Sequence, residues 1–233
     1  MKHCVIITGY IEGSIQKICP ELFLHPPGQQ PLILCADGGY RLAEREGLLP
    51  HVIIGDFDTF ENMESDPRLT RTDEAFPSEI LRVPVEKDDT DTMLCIKYGL
   101  KQGCDSFLII GGIGGRLDHT IANLQALAYL ASRGITVTMK DEETCVTMLS
   151  PGTHHLHRSS NSAEGGCKPY RRFSLFAYSP ACEGLSIRGA KYELDHGHLE
   201  NTFPLGVSNE FSQDTIHLSF TEGMLLVIMN HQQ

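Results

Sequence analysis

The sequence predicts an α/β amino-terminal domain with a mostly parallel sheet, over residues 1–141, followed by an all-β sandwich over residues 142–233. Two observations carry that division. Short apolar runs alternate with amphipathic helical stretches up to about Lys140, and after it the helical periodicity stops. Beyond that point strand-like runs follow one another at hairpin spacing, separated by turn residues such as Thr221-Glu222-Gly223.

In the first part the expected strands are Cys4–Thr8, Leu32–Ala36, Val52–Ile54, Ile80–Val83, Phe107–Ile110 and Thr136–Lys140. Near-continuous apolar runs such as Leu-Ile-Leu-Cys-Ala suit strands covered on both faces. Two helices are expected. Thr90–Gln102 places Met93, Ile96 and Leu100 on one face, and His119–Arg133 places Ile121, Leu124, Ala128 and Ala131 on one face. Thr90 and Asp118 suit N-caps, and Gly103 and Gly134 suit helix stops. In the second part the expected strands are Thr144–Leu149, Arg172–Ala177, Leu185–Arg188, Gly206–Asn209, Thr215–Phe220 and Met224–Met229. Arg158–Lys168 has loop composition and reads as a mobile hairpin tip.

Composition narrows the function classes. A net charge of −11 argues against nucleic acid as a partner, since phosphate backbones attract Lys and Arg. No stretch approaches the roughly 18 apolar residues of a membrane span, and the apolar run at the amino terminus is too short for a signal peptide. The eight cysteines include no CxxC pair, so they read as reduced thiols in the cytoplasm.

Four polar clusters lie beside strand ends or helix starts: Ala36-Asp37-Gly38-Gly39, Gly55-Asp56-Phe57-Asp58-Thr59, Lys87-Asp88-Asp89-Thr90-Asp91, and the segment from Gly111 through Gly112, Gly114, Gly115, Arg116 and Asp118 to His119. In an open α/β sheet, ligands bind outside the carboxyl ends of the strands, so the four are expected to converge on one crevice. Carboxylates gathered there repel one another unless a cation neutralises them, and hard oxygen donors select Mg2+. In an extended backbone Asp56 and Asp58 point to the same side, which suits a shared metal. The glycine run brings backbone N–H groups close to an anion at a helix start, and Arg116 adds a bidentate phosphate donor. Neither the Walker A pattern nor the dinucleotide fingerprint is present. Taken singly, Asp91 and Asp118 also fit first-turn or capping acids, Asp37-Gly38-Gly39 a turn, and Asp56 and Asp58 solvated loop acids. The histidines of His154-His155-Leu156-His157 and His196-Gly197-His198 read as solvated rather than metal-binding, and Phe173, Phe176 and Tyr178 as sandwich core.

Taken in order, the clusters resemble those of the thiamine pyrophosphokinase family. That family carries Asp-Gly-Gly, Gly-Asp-Phe-Asp-Ser, Lys-Asp-x-Thr-Asp and Gly-Gly-x-x-Gly-Arg-x-Asp-His. The β-rich half adds Gly189-Ala190-Lys191-Tyr192-Glu193-Leu194 and Gly206-Val207-Ser208-Asn209-Glu210, which are similar to the family's Gly-x-Lys-Tyr-x-Leu and Gly-x-Ser-Asn-Glu. Thr59 stands in place of the usual serine, and Glu193 where proline is expected. The resemblance implies transfer of the pyrophosphate of ATP to the hydroxyl of thiamine, giving thiamine diphosphate and AMP. It implies a homodimer with each site shared between subunits. By motif position, Asp56, Asp58, Asp91 and Asp118 are catalytic, with Asp56, Asp58, Asp88 and Asp91 as metal ligands. Asp37, Gly38, Gly39, Lys87, Gly112, Arg116, His119 and Asn123 would hold ATP and its phosphates, and Ser208 and Asn209 thiamine. Two other readings stay open: another ATP-dependent kinase or a phosphatase on the same scaffold, and a nucleotide-binding module without turnover.

Overall fold

The computed structural model describes residues 2–24, 30–56, 79–84, 86, 88–159 and 168–231. The chain divides into two compact units, Met1–Ala126 with Met139–Glu142, and Leu127–Thr138 with Glu143–Gln233.

The first unit begins with β1 (His3–Ile7), the single turn α1 (Ile15–Ile18) and a 3-10 turn at Pro20–Phe23. There follow β2 (Leu32–Ala36), α2 (Gly39–Arg45), β3 (Val52–Gly55), β4 (Glu79–Arg82), α3 (Asp91–Lys101) and β5 (Ser106–Ile110). Next come α4 (Leu117–Ala131) and β6 (Thr136–Lys140), elements through which the division into units passes. The strand order is β6-β5-β1-β2-β3-β4, and β5, β1, β2, β3 and β4 pair in parallel. Val5, Ile7, Ile33, Cys35, Ile53 and Ile110 are buried among Ile15, Leu22, Tyr40 and Ala43 from the segments that cross between strands. β2 therefore reads as a near-continuous apolar run because both its faces are covered.

The strand order turns back at β1. From β1 the chain steps outward through β2, β3 and β4, then crosses α3 to β5 on the other side of β1. Such a reversal opens a crevice at the carboxyl ends of the two strands beside it. α3 fixes what reaches that edge. Its carboxyl end lies by the start of β1, where Lys2 Nζ donates to the Gln102 carbonyl at 2.7 Å and the Lys2 N–H to Asp105 Oδ1 at 2.8 Å. Eleven helical residues span about 16 Å, the length of a five-residue strand. Its first residue, Asp91, is thereby carried to the carboxyl edge. Thr90 caps it, accepting the Met93 N–H at 3.2 Å.

The second unit holds two antiparallel groups of strands. One runs β12 (Asn209–Glu210), β9 (Arg172–Ala177), β14 (Leu225–Asn230) and β7 (Thr144–Leu149). The other runs β11 (Leu194–Glu200), β10 (Ala181–Arg188), β13 (Thr215–Phe220) and β8 (Gly152–His157). Alternate residues of both groups form one core: Phe173, Leu175 and Val227 from one, Leu185, Ile216 and Leu218 from the other. This is the sandwich that the hairpin spacing predicts.

Several boundaries differ from the sequence expectation. β8 and β11 were not expected, because Gly-Thr-His-His-Leu-His and Leu-Asp-His-Gly-His-Leu-Glu look polar. Their alternation is nonetheless strand-like, with Leu156 and Leu199 turned inward and the histidines half-buried or exposed. Gly206–Asn209 is not a strand: only Asn209–Glu210 pairs, since Ser208 takes a left-handed φ of 60° that breaks the extended run. α4 starts two residues before His119, so Asp118 lies in its first turn and is not its cap. Gly103 and Gly134 do stop their helices, with φ of 79° and 70°. Phe173 is core as expected, while Phe176 and Tyr178 are half-buried. The seven cysteines among the described residues are buried free thiols.

Candidate active site

The carboxyl edge of the parallel sheet gathers the first polar cluster and the starts of the second and the fourth, and α3 carries Asp91 of the third toward it. β1 ends in Thr8, Gly9 and Tyr10; β2 in Asp37 and Gly38; β3 in Gly55 and Asp56; and β5 in Gly111 and Gly112. Neighbouring strands in register bring these ends side by side. The Asp37 N–H donates to the Ile54 carbonyl at 2.8 Å, and the Thr8 N–H to the Ile110 carbonyl at 3.1 Å. A Cβ on Gly55 would come within 3.0 Å of Asp37 Oδ1, so the Asp37 carboxylate stands against the backbone that leads into Asp56. Asp37 holds φ of 41°, a left-handed value that few residues other than glycine accept. Behind it Gly39 passes so close to the Ile7 carbonyl that any side chain would collide, which is why the turn after β2 needs glycine there.

The loop from β5 to α4 is built against the end of β1. The Gly112 N–H donates to the Tyr10 carbonyl at 2.8 Å, and the Thr8 hydroxyl lies 3.0 Å from the same oxygen. Gly111, at φ 83°, faces the Tyr10 carbonyl with no room for a Cβ. From inside, the buried Asn123 amide donates to the Gly112 carbonyl at 3.0 Å, and so braces the loop from below. The Gly114 N–H donates to Thr120 Oγ1 at 3.1 Å. Arg116 and Asp118 are exposed and paired, Nη2 to Oδ2 at 2.6 Å and Nε to Oδ1 at 3.2 Å. The Arg116 guanidinium, with the His119 N–H, holds the Asp118 carboxyl below its usual range, while Asp118 raises the guanidinium further.

Asp88 is exposed and precedes α3; Asp91, half-buried, opens it. Asp58 and Lys87 lie outside the described residues. Among the described residues no group of three His, Cys, Asp or Glu side chains is assembled to hold a metal ion. Asp37, Asp56 and Asp91 do supply hard oxygen donors to one edge, which suits a cation held by one or two carboxylates and completed by substrate phosphate.

In the second unit the segments Gly189–Leu194 and Gly206–Glu210 are tied to each other. Asn209 Nδ2 donates to the Tyr192 carbonyl at 2.7 Å, and Asn209 Oδ1 accepts the N–H groups of Tyr192 at 3.0 Å and Glu210 at 2.9 Å. Asn209 is buried, and this use of both ends of its amide makes it a clamp for the Lys191-Tyr192 turn. Glu193, which replaces an expected proline, closes the same turn by accepting the Gly189 N–H at 2.8 Å. Lys191 pairs with Glu210 at 2.9 Å. Ser208 is exposed, and its N–H donates to Ser174 Oγ at 3.0 Å. The clamp leaves Tyr192 61% exposed, with Phe203, Leu205 and Val207 also exposed in the segment between. Tyr10 is the residue that the sequence does not point to, and Tyr192 appears there only as part of a motif with no role of its own. A single tyrosine after a strand carries no pattern, and only its exposure at a site distinguishes it.

An open parallel sheet that presents carboxylates, a glycine loop and an arginine at its carboxyl edge, joined to a β-sandwich, defines an enzyme of phosphoryl- or pyrophosphoryl-group transfer. Comparison with known proteins specifies which. The thiamin pyrophosphokinase catalytic domain matches residues 27–139, and the thiamin pyrophosphokinase vitamin B1 binding domain matches residues 153–225. The thiamine pyrophosphokinase of Bacillus subtilis (strain 168) is 30% identical over 219 residues, covering 94% of this chain and 95% of that one. Thiamin pyrophosphokinase 1 of Caenorhabditis elegans is 23% identical over 185 residues, covering 77% and 70%. The crystal structure of the Bacillus subtilis protein superimposes with a TM-score of 0.78 at 25% identity over all of both chains. That of the Candida albicans protein superimposes at 0.72 with 18% identity, covering 98% and 90%, a likeness of fold. The chain belongs to the thiamine pyrophosphokinase family. It is an enzyme that transfers the pyrophosphate of ATP to thiamine, and a divalent metal ion generally takes part in that reaction.

Proposed function

We propose that the carboxyl edge of the parallel sheet holds the triphosphate of ATP with Mg2+, and that the Lys191–Asn209 region of the sandwich holds thiamine. The observation that carries this is the convergence of Asp37, Asp56, Asp91 and the Gly111–Arg116 loop on one edge. Asp56, Asp58, Asp88 and Asp91 would hold the metal ion, which would supply positive charge against the phosphate oxygens. Pyrophosphoryl transfer leaves the protein mainly to position and to balance charge. Arg116 takes phosphate oxygens beside the Gly111–Gly115 loop, Asp37-Gly38-Gly39 forms the neighbouring wall, and Lys87 and His119 add contacts at its rim. Asn123 keeps the loop in shape. Asp118, whose proton affinity is lowered by Arg116, orients that guanidinium and is a poor candidate for the base. An aspartate of the cluster accepts the thiamine hydroxyl proton.

Thiamine is a cation with two aromatic rings. An exposed tyrosine on a rigid turn offers such a molecule a cation–π face, which supports Tyr192 as the platform, with Asn209 clamping its backbone and Ser208 preceding Asn209 in the chain. The protein acts in the cytoplasm, without nucleic-acid partners, as a homodimer whose sites join the α/β unit of one subunit to the sandwich of the other. Mixing two inactive variants, Asp56→Ala and Tyr192→Ala, tests that arrangement. In a shared-site dimer random reassociation restores about a quarter of the sites. If each subunit carries a whole site, no activity returns.

A further inference from the structure

The Tyr10 ring lies on the glycine loop, and nothing in the reaction as derived above uses it. Its placement is fixed at two levels. The backbone is held by the Gly112 N–H and the Thr8 hydroxyl at the Tyr10 carbonyl. The ring packs on the exposed pair Gly114-Gly115: a Cβ on Gly115 would stand 3.0 Å from Tyr10 Cδ2 and Cε2, and one on Gly114 would stand 3.3 Å from Cε1. Any other residue at Gly115 would therefore push the ring away. Despite this support Tyr10 is 46% exposed, at the crevice where the strand order reverses. Two further exposed apolar side chains, Leu117 and Ile121, project one helical turn apart from the start of α4.

An aromatic ring with one side seated on backbone and the other open, next to a loop suited to phosphate, has the form of a stacking platform for a nucleobase. We infer that Tyr10 stacks the adenine of ATP, and so sets the enzyme's preference for a nucleotide over a bare polyphosphate. This rests on the assignment of the triphosphate to the Gly111–Arg116 loop. Adenine is favoured over the thiamine rings because Tyr10 adjoins the phosphate loop, whereas the thiamine assignment falls on the other unit.

The test uses the full-length enzyme and two competitors of ATP, AMP and inorganic triphosphate. Base–aromatic stacking is worth about 1–3 kcal/mol, which corresponds to about 5- to 150-fold in affinity. Tyr10→Ala and Tyr10→Leu should both raise the ATP KM and the AMP inhibition constant within that range. The inhibition constant of inorganic triphosphate and the thiamine KM should stay unchanged. Tyr10→Phe should behave as the wild type. Equal weakening of AMP and triphosphate would mean that the ring only supports the loop, and no change in either, or a change in thiamine KM alone, would equally overturn the inference. Should inorganic triphosphate fail to compete with ATP even in the wild-type enzyme, the phosphate assignment itself falls, an outcome distinct from the others.

Discussion

At the scale of single residues the site is marked by side chains kept in costly places. Among the described residues, the non-glycine residues with left-handed φ are Asp37, His196 and Ser208, and two of these three carry the proposed chemistry. Asp56→Ala and Asp91→Ala should each lower thiamine diphosphate formation by orders of magnitude while leaving the circular dichroism spectrum unchanged; near-normal turnover in either would remove it from the metal site. Ser208→Ala should raise the thiamine KM more than the ATP KM. Ser208→Gly makes a useful second comparison, because it removes the hydroxyl together with Cβ while accepting the same φ without strain. His198 offers a pH readout on the sandwich. Its Nδ1 lies 2.7 Å from Glu183 and its Nε2 3.1 Å from Glu200, and these two hydrogen bonds raise its pKa above the ordinary histidine value. A group whose folded pKa is raised stabilises the protein fully below its unfolded pKa, near 6.5, and loses that effect as pH rises through the folded value. The Tm difference between wild type and His198→Gln should therefore be largest under mildly acidic conditions and shrink toward alkaline pH. A difference that grows with pH would show that the imidazolium is not what Glu183 and Glu200 hold.

Among elements, the short α1 depends on a residue far from it in sequence. Its first turn donates to the Glu46 carboxylate, which accepts the Ile15 N–H at 2.9 Å and the Gln16 N–H and Ser14 hydroxyl at 2.8 Å each. Burial pushes the Glu46 pKa up, but these bonds outweigh it and leave the group below its ordinary value. Stability from Glu46 is thus present above the unfolded pKa and is lost as pH falls through the lower folded value. Glu46→Gln should cost about 1 kcal/mol at neutral pH, the usual worth of a helix-terminus acceptor, and less in acid, as read from urea midpoints. Legibility follows the same division between local and distant causes. Leu32–Ala36, Thr136–Lys140, Thr144–Leu149, Arg172–Ala177 and Thr215–Phe220 match strands end to end, because period and burial act within the segment itself. α2 escaped notice since Asp-Gly-Gly reads as a turn, and its seven residues pack against β2 and β1 rather than standing on propensity. The Glu46 clamp, the Asn209 clamp and the seat of Tyr10 join residues that lie apart in the chain, and no periodicity announces them.

For the whole molecule, the ends of parallel strands share one edge, so topology alone sets Asp37 beside Gly55 and the start of the Gly111 loop beside the end of β1. The second unit was less readable in its local ties: the Asn209 amide bonds the backbone of Tyr192 and Glu210, while Tyr192 stands exposed. Sedimentation of the purified protein should give a dimer at micromolar concentration, and a stable monomer with full activity would exclude shared sites. The left-handed backbone at Ser208 also has a bearing on descent. Chance replacement at such a position runs toward glycine, which relieves the turn at once. A lineage that no longer needed to make thiamine diphosphate would be expected to drift that way at 208 early, well before its apolar core decayed. On the proposed thiamine role of Ser208, a glycine at that turn in a related genome would be an early sign of lost activity.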